Sequence, residues 1–453
     1  MSLAVKSFAL FRRDIFLYAV RLITGAIIAR ILGPAAMGLW LILTMIPSYA
    51  EAFGRFKFDI AAVYYLGQKK YGLGETAFVL NVMALLSATI LILIFIWKID
   101  YFYVYLLKGS PNTLFLVYLT LLIIPLQFLF MNYSYLLIHM EDIKSYNSML
   151  TIKELFTSLP ALIALIILKW GLFSMVISAL IGGVLSLLYG IWKVNKVERM
   201  KPHFNLEMIK DFIKYSSNLY LLGVIGQLNV YVSSLIVAFY LLPVQLAFFR
   251  IGQERAQLLN RIPEALSTIL YPRISKLSNS EGEPGKLTAK SCRISFLLLS
   301  IIALIAAVLV KPLVIILYGQ DYLPLTVPFW ILLPGIVLSG STGTLQQYFI
   351  GIGRPAVLLV VNTIPLIIQV IMGFIFIPTF GVIGAALTTT MAFIMLSIVT
   401  LIIFKICSRL TLNEIIVPNA NDVKYVINFI RQRSLGFICN KNQREITNPE
   451  ESS

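Results

Sequence analysis

Apolar stretches of about 20 residues recur along almost the whole chain, and residues 219–242 and 294–318 are nearly free of charge. A helix of that length crosses a hydrocarbon core about 30 Å thick. Within lipid every backbone N–H and C=O needs an internal partner, so only helices and closed barrels qualify. Barrels would show short alternating strands, and the sequence has none. Composition agrees: 59% of the 453 residues are hydrophobic and 13% are charged, against about 25% charged in soluble chains. The expected fold class is an all-α polytopic membrane protein. Lys6, Arg12 and Arg13 precede an apolar run that continues past Ala29 without an A-x-A-like site. That pattern reads as a first span and not as a cleaved signal.

Hydropathy and turn residues place helices near 14–32, 36–55, 77–97, 113–138, 148–168, 172–192, 216–242, 245–272, 292–318, 322–349, 356–377 and 381–406. Gly33-Pro34, Leu242-Pro243 and Pro378-Thr379-Phe380-Gly381 are short turns that force antiparallel neighbours. Cations gather in alternate loops, roughly 28 of the 37 on one side and about five (Arg30, Lys98, Lys108, Lys169, Lys311) on the other. The rich side is expected to be cytoplasmic, with both termini inside a cell (inner) membrane. The net charge of +16 is then a topology signal with attraction to anionic lipid. It does not point to nucleic acid, because no soluble domain gathers the charges into one surface.

A weak repeat runs through the chain. ARILGPAAMGLWLI (29–42) resembles AFYLLPVQLAFFRI (238–251), and KWGLFSMVISALI (169–181) resembles TFGVIGAALTTTM (379–391), at offsets of about 209–210. This suggests a duplicated six-helix unit with parallel halves and a substrate site between them. The expected organisation is an N-lobe with inter-lobe linker over 1–208, a C-lobe over 209–409 and a polar tail over 410–453. In the tail Val423, Val426, Ile427 and Ile430 are helically spaced beside Arg431 and Arg433. An amphipathic helix on the inner leaflet and a disordered tail both fit.

Residues 248–277 strain this picture. Arg250, Glu254, Arg255, Arg261 and Glu264 would together cost roughly 12–17 kcal/mol if centred in lipid. Their period relieves the conflict, since Arg250, Glu254, Gln257 and Arg261 fall at i, i+4, i+7 and i+11, with Glu264 next along the stripe. The second span repeats the pattern with Trp40, Thr44, Pro47, Glu51 and Arg55, and Glu51 can pair with Arg55. The first span adds Tyr18, Arg21 and Gly25; the seventh adds Tyr220, Gly223, Gln227, Tyr231 and Ser234. Arg–Glu pairs also serve as struts, and Arg55 or Arg261 can snorkel. Stripes at corresponding places in both halves favour a shared polar cleft. Its arginines offer forks suited to phosphate, and Glu51, Glu254 and Glu264 are candidates for ion coupling.

Cys292, Cys407 and Cys439 are odd in number and far apart, and His139 and His203 stand alone. No disulfide framework or metal site is expected. Prolines inside spans, such as Pro47, Pro160 and Pro334, invite kinks and are compatible with alternating access.

ARILGPAAMGLWLI with AVYYLGQKK (62–70), RIPEALSTILYPRISKL (261–277), ILYGQDYLP (316–324), YFIGIGRP (348–355) and IPTFGVIGAAL (377–387) resemble the polysaccharide-transport flippases of the multidrug/oligosaccharidyl-lipid/polysaccharide exporter superfamily. These carry O-antigen-type, lipid-linked oligosaccharides. The resemblance implies twelve helices in two six-helix lobes around a V-shaped central cavity. It also implies translocation of a polyprenyl-diphosphate-linked oligosaccharide from the cytoplasmic to the outer leaflet. It implies cavity arginines on helices 1, 2 and 8. Arg21 or Arg30, Arg55 and one of Arg250, Arg255 or Arg261 occupy comparable stretches, with Tyr220, Gln227, Tyr231 and Gln257 as polar walls. The related lipid II flippases carry two further C-terminal helices where this chain has a polar tail, which argues against a peptidoglycan precursor. No cofactor is expected beyond a coupling H+ or Na+. The expected partners are the lipid-linked oligosaccharide, membrane lipids and glycan-assembly proteins, with the chain itself a monomer. A drug/cation antiporter of the same superfamily would favour acidic cavity residues. A membrane-embedded glycan polymerase or ligase would need a large outward loop, and no outward loop exceeds about fifteen residues.

Overall fold

The computed structural model describes residues 3–111, 113–264 and 283–419, with the single positions 267, 270, 274 and 422. Among them there is no strand. In chain order the helices are α1 (Leu3–Gly54), α2 (Phe58–Gly67), α3 (Leu73–Trp97), α4 (Ile99–Tyr105), α5 (Thr113–Leu121), α6 (Ile123–His139), α7 (Ile143–Ile166), α8 (Leu172–Val197) and α9 (Leu206–Tyr240). They continue as α10 (Pro243–Gln257), α11 (Glu283–Leu317), α12 (Thr326–Gly351), α13 (Val357–Ser408) and α14 (Leu412–Ile416). Nine helices among the described residues are long and apolar enough to cross a membrane. Two of these, α1 and α13, are pairs of spans joined at a bent glycine. The charged α10 occupies the remaining expected place. The protein is a multi-pass, all-helical membrane protein.

Both bends are set by backbone chemistry. Gly33 has φ 73° and ψ 168°, and Gly381 has φ 58° and ψ −132°. Left-handed φ of this kind is inexpensive only without a Cβ. Pro34 follows Gly33 at a first helical position, where its missing N–H would be unpaired anyway. Gly171, just before α8, adopts φ 55° and ψ −133°, nearly the dihedrals of Gly381, 210 positions later. Gly109 and Gly319, also 210 apart, both have positive φ. The faint sequence period is therefore repeated in the turns.

The spans present wide apolar faces outward. Leu86, Leu93, Leu304, Val308, Ile316 and Ile371 are all exposed, Val308 by 77%. Monomeric soluble proteins seldom expose contiguous apolar surface on this scale; a bilayer covers it.

Two compact units can be distinguished. The first holds the chain to Gln253 together with Val310–Pro328 and Gln369–Thr388. Leu80, Phe130, Tyr133, Leu137, Met149 and Phe212 form part of its core. Small residues let its helices approach: a Cβ at Gly182 would lie 2.8 Å from the Lys153 carbonyl oxygen, and one at Gly190 2.8 Å from Met149 Cε. The second unit holds Glu254–Leu309, Phe329–Ile368 and the chain from Thr389. There Thr390 Oγ1 donates to the Ile331 carbonyl at 2.7 Å, and Trp330 Nε1 to that of Ala307 at 2.9 Å.

Several local features depart from the expected helices. The loop after the second span contains α2, the loop at 98–112 contains α4, and the span at 113–138 is interrupted at Leu122. The helix expected from 216 begins at Leu206, inside the expected inter-lobe linker. Asn205 caps it by accepting from the N–H groups of Glu207 and Met208, which satisfies donors the first turn leaves open. The amphipathic stretch expected at 423–433 and part of the 261–277 motif lie outside the described residues.

Candidate functional site

Arg55 lies where α1 ends. Phe56 and Lys57 both take left-handed φ, 52° and 57°, before α2 begins at Phe58. The Arg55 side chain bridges this break. Nη1 donates to Glu51 Oε1 at 2.7 Å on α1, and Nη2 to Asp59 Oδ2 at 3.0 Å on α2. Arg55 and Asp59 are only 6% and 1% exposed, so the pair is shielded from water. The Tyr135 ring of α6 lies 5.8 Å from the guanidinium carbon.

The network extends across the unit. Gln127 Nε2 on α6 donates to Glu51 Oε2 at 3.1 Å, and Lys153 Nζ on α7 donates to Gln127 Oε1 at 2.6 Å. At the next residue of α7, Glu154 Oε2 accepts from Arg21 Nε of α1 at 2.6 Å. Three cations (Arg21, Arg55, Lys153) thus accompany three carboxylates (Glu51, Asp59, Glu154). Burying ions is tolerable only with such pairing and hydrogen bonding.

Aromatic residues of α9 face the same stretch of α1. Tyr220 Oη donates to the Phe53 carbonyl at 2.9 Å, and its ring stacks on Phe56 at 4.7 Å. Tyr49 Oη donates to the Tyr231 carbonyl at 3.0 Å. Arg250 of α10 stands 4.6 Å over the Tyr231 ring, with Nη1 3.4 Å from the Val230 carbonyl oxygen. A cation over a desolvated tyrosine face is worth about 2 kcal/mol. Gln227 and Gln257 are half-buried. Gln253, fully buried on α10, has no hydrogen-bond partner for either side-chain polar atom among the described residues.

The remaining expected residues are elsewhere. Arg30 is exposed, with Nη1 3.4 Å from the Ile316 carbonyl oxygen. Arg261 pairs with Glu264 at 2.8 Å, both more than half exposed. Glu254 and Arg255 are half-buried. The structure therefore joins Arg21, Glu51 and Arg55 in one charged region, places Arg250 with Tyr231, and pairs Arg261 with Glu264. Asp59, Gln127, Lys153 and Glu154 were not singled out by the sequence argument. Asp59 was detectable as the second i+4 partner of Arg55, and Lys153-Glu154 as charges inside an apolar span.

At the end with few cations, the first unit is tightly closed. A Cβ on Gly38 would fall 1.8 Å from the Pro243 carbonyl oxygen. Tyr322 Oη donates to the Ala29 carbonyl at 2.8 Å, and Lys108 Nζ to that of Phe239. Near the opposite end Tyr64 stacks on Tyr215 at 4.3 Å. Asp211 accepts from Lys70 Nζ and Tyr71 Oη, and these hydrogen bonds hold its carboxyl below the usual carboxylate range.

A family model described as polysaccharide biosynthesis protein matches residues 27–327. The chain belongs to that family. Among solved structures, the fold is shared with an inward-facing multidrug resistance MATE family transporter of the MOP superfamily. That match has TM-score 0.73 and 15% identity, over 87% of this chain and 94% of that one. The lipid II flippase MurJ in an inward closed conformation matches with TM-score 0.69 and 17% identity, over 98% of this chain and 100% of that one. A MOP superfamily transporter from Pyrococcus furiosus, described as having a binding pocket of reverse polarity, matches at TM-score 0.57 and 15% identity, over 88% and 92% of the two chains. No curated protein matches the sequence.

Proposed function

We propose that the protein is a flippase that carries a polyprenyl-diphosphate-linked oligosaccharide from the cytoplasmic to the outer leaflet of the cell membrane. The observation that carries this reading is the family match over residues 27–327 on a fold shared with a lipid II flippase. The transporter works by alternating access between lobes 1–208 and 209–409, with its termini cytoplasmic. The diphosphate enters the polar cleft and takes charge-assisted hydrogen bonds from Arg21, Arg55 and an arginine of the α10 region (Arg250, Arg255 or Arg261), with Arg30 further along the path. Tyr220, Gln227, Tyr231 and Gln257 face the sugars, while the polyprenyl tail stays in lipid. No bond is made or broken, so the protein is a transporter and not an enzyme. About two negative charges leaving a negative-inside cell release roughly 4–5 kcal/mol at 100 mV. An H+ or Na+ resets the cycle through Glu51, Glu254 or Glu264.

The test is a leaflet-resolved assay of a defined lipid-linked oligosaccharide in vesicles with and without the protein. Translocation should require the protein, slow when the membrane potential and ion gradients are collapsed, and fall at least tenfold in Arg55→Lys, which keeps the charge but loses the fork. Equal translocation in empty vesicles would refute the flippase reading. A second reading, a cation-coupled multidrug exporter, draws on the three carboxylates beside Arg21, Arg55 and Lys153. Uptake of a cationic dye under a proton gradient, without oligosaccharide movement, would favour it.

A further inference from the structure

Asp59 is the least expected member of the charged region. It sits in the first turn of α2, where the helix dipole favours a negative charge, and its side chain is fully buried. Oδ2 holds Arg55, but Oδ1 meets no donor in hydrogen-bonding geometry among the described residues, and Arg55 Nε meets no acceptor there. The N–H groups of Asp59 and Ile60 lie near the carboxylate without closing a bond to Oδ1. A buried carboxylate with an oxygen left this way loses the hydration it would have in water and regains only part of it from Arg55 and the backbone N–H groups at the helix start. Arg55 is held from both sides, by Glu51 through Nη1 and by Asp59 through Nη2, across two consecutive left-handed residues. The two carboxylates differ. Glu51 has a second partner in Gln127, whereas among the described residues the only side chain bonded to Asp59 is that of Arg55.

We propose that Asp59 is a proton-exchanging placeholder for the anionic substrate: it occupies Arg55 when the site is empty and is protonated when a diphosphate takes Arg55 away. The inference rests on the flippase reading and adds to it a proton that binds with the substrate at a named residue. On binding, Arg55 Nη2 exchanges the Asp59 oxygen for a phosphate oxygen. The carboxylate, now without its bonded ion-pair partner in a dry site, takes one proton from the water on the open side and becomes a neutral carboxyl group. Release reverses the exchange: Arg55 returns to Asp59 and the proton leaves to water. The groups facing Asp59 are Arg55 and Glu51 from α1, Lys57 at the turn and Tyr135 from α6; from α9, Gly223 packs against the Lys57 stem. Of these carboxylates only Glu51 could compete for the proton, and it keeps its Gln127 donor when Arg55 moves.

The experiment is farnesyl diphosphate binding to the full-length protein by calorimetry in buffers of different ionisation enthalpy. Proton uptake in the wild type is compared with that in Asp59→Asn at the same pH, so the ligand's own ionisation cancels. The wild type should take up roughly one more proton per ligand than the variant. Its affinity should therefore rise up to about tenfold per unit fall in pH relative to Asp59→Asn. Asp59→Glu, which restores a carboxylate, should recover the difference. Equal uptake in wild type and Asp59→Asn would overturn the proposal. Infrared difference spectra of the wild type give a test that does not depend on the variant folding: ligand addition should raise a protonated-carboxyl C=O band, and its absence would also overturn the proposal. Absence of any farnesyl diphosphate binding would instead count against the flippase reading itself.

Discussion

Gly38 offers a direct test of how the cation-poor end is closed. In Gly38→Ala the new methyl would sit 1.8 Å from the Pro243 carbonyl oxygen and 2.3 Å from its carbon. Both are backbone atoms, so no side chain can swing aside. Restoring ordinary contact requires the two backbones to part by roughly 1.5 Å. A shift of that size stretches the 2.8 Å bond from Tyr322 to Ala29 and the bond from Lys108 to Phe239 beyond hydrogen-bonding range. Overpacking costs about 1–3 kcal/mol and each lost bond about 0.5–1.5 kcal/mol. The closed arrangement should lose about 2–6 kcal/mol, and even 2 kcal/mol is roughly a 30-fold shift in population. The assay is thiol labelling of Ala29→Cys, fully buried at this end, in a protein whose Cys292, Cys407 and Cys439 are replaced by serine. Gly38→Ala should accelerate labelling at least tenfold, while Leu137→Cys, fully buried in the first unit's core, stays unlabelled. Unchanged labelling of Ala29→Cys would refute the packing argument, and equal acceleration at Leu137→Cys would show general unfolding instead.

Three further outcomes follow from the geometry. Arg55→Ala leaves Asp59 as a buried carboxylate without its cation, and should destabilise the protein by about 3–5 kcal/mol in detergent unfolding; a loss under 1 kcal/mol would show that the pair is not dry. Gly381→Ala and Gly171→Ala each force a Cβ into φ near +55° with ψ near −130°, and each should cost about 1–3 kcal/mol, read as a lower thermal midpoint. Asp211, whose carboxyl is held down by Lys70 and Tyr71, contributes stability above its unfolded pKa of about 4 that is lost as pH falls through the lower folded value. Hydrogen exchange across 206–217 should therefore quicken on acidification in the wild type, and Asp211→Asn should remove that pH dependence.

The spans and their bends were legible because lipid imposes length and glycine imposes turns. The Gly33-Pro34 break and the Gly381 break fall where short punctuation separates apolar runs. The Glu51–Arg55 pair was legible too, being a local i,i+4 relation. Asp59 was harder to see, since α2 hides in what reads as a charged loop and its first turn is fixed by Phe56 and Lys57, residues with no preference for left-handed φ. The partnerships of Glu154 with Arg21 and of Lys153 with Gln127 span more than 20 residues of chain and depend on how α1, α6 and α7 pack. No periodicity carries that information. The charged stripe at 250–264 was visible, but its partners were not: Arg250 stands on an aromatic ring of α9, and Arg261 pairs with its own neighbour.

The carboxylates around Arg55 have an electrical consequence. A carrier that re-crosses the bilayer with naked arginines would drag several elementary charges through the field, at about 2.3 kcal/mol per charge per 100 mV. Here Arg21, Arg55, Lys57 and Lys153 are accompanied by Glu154, Glu51 and Asp59, so the seven groups together carry one net positive charge. On the transport cycle proposed above, the empty stroke moves one net charge of this set where bare cations would move four, so voltage weighs less on the returning protein.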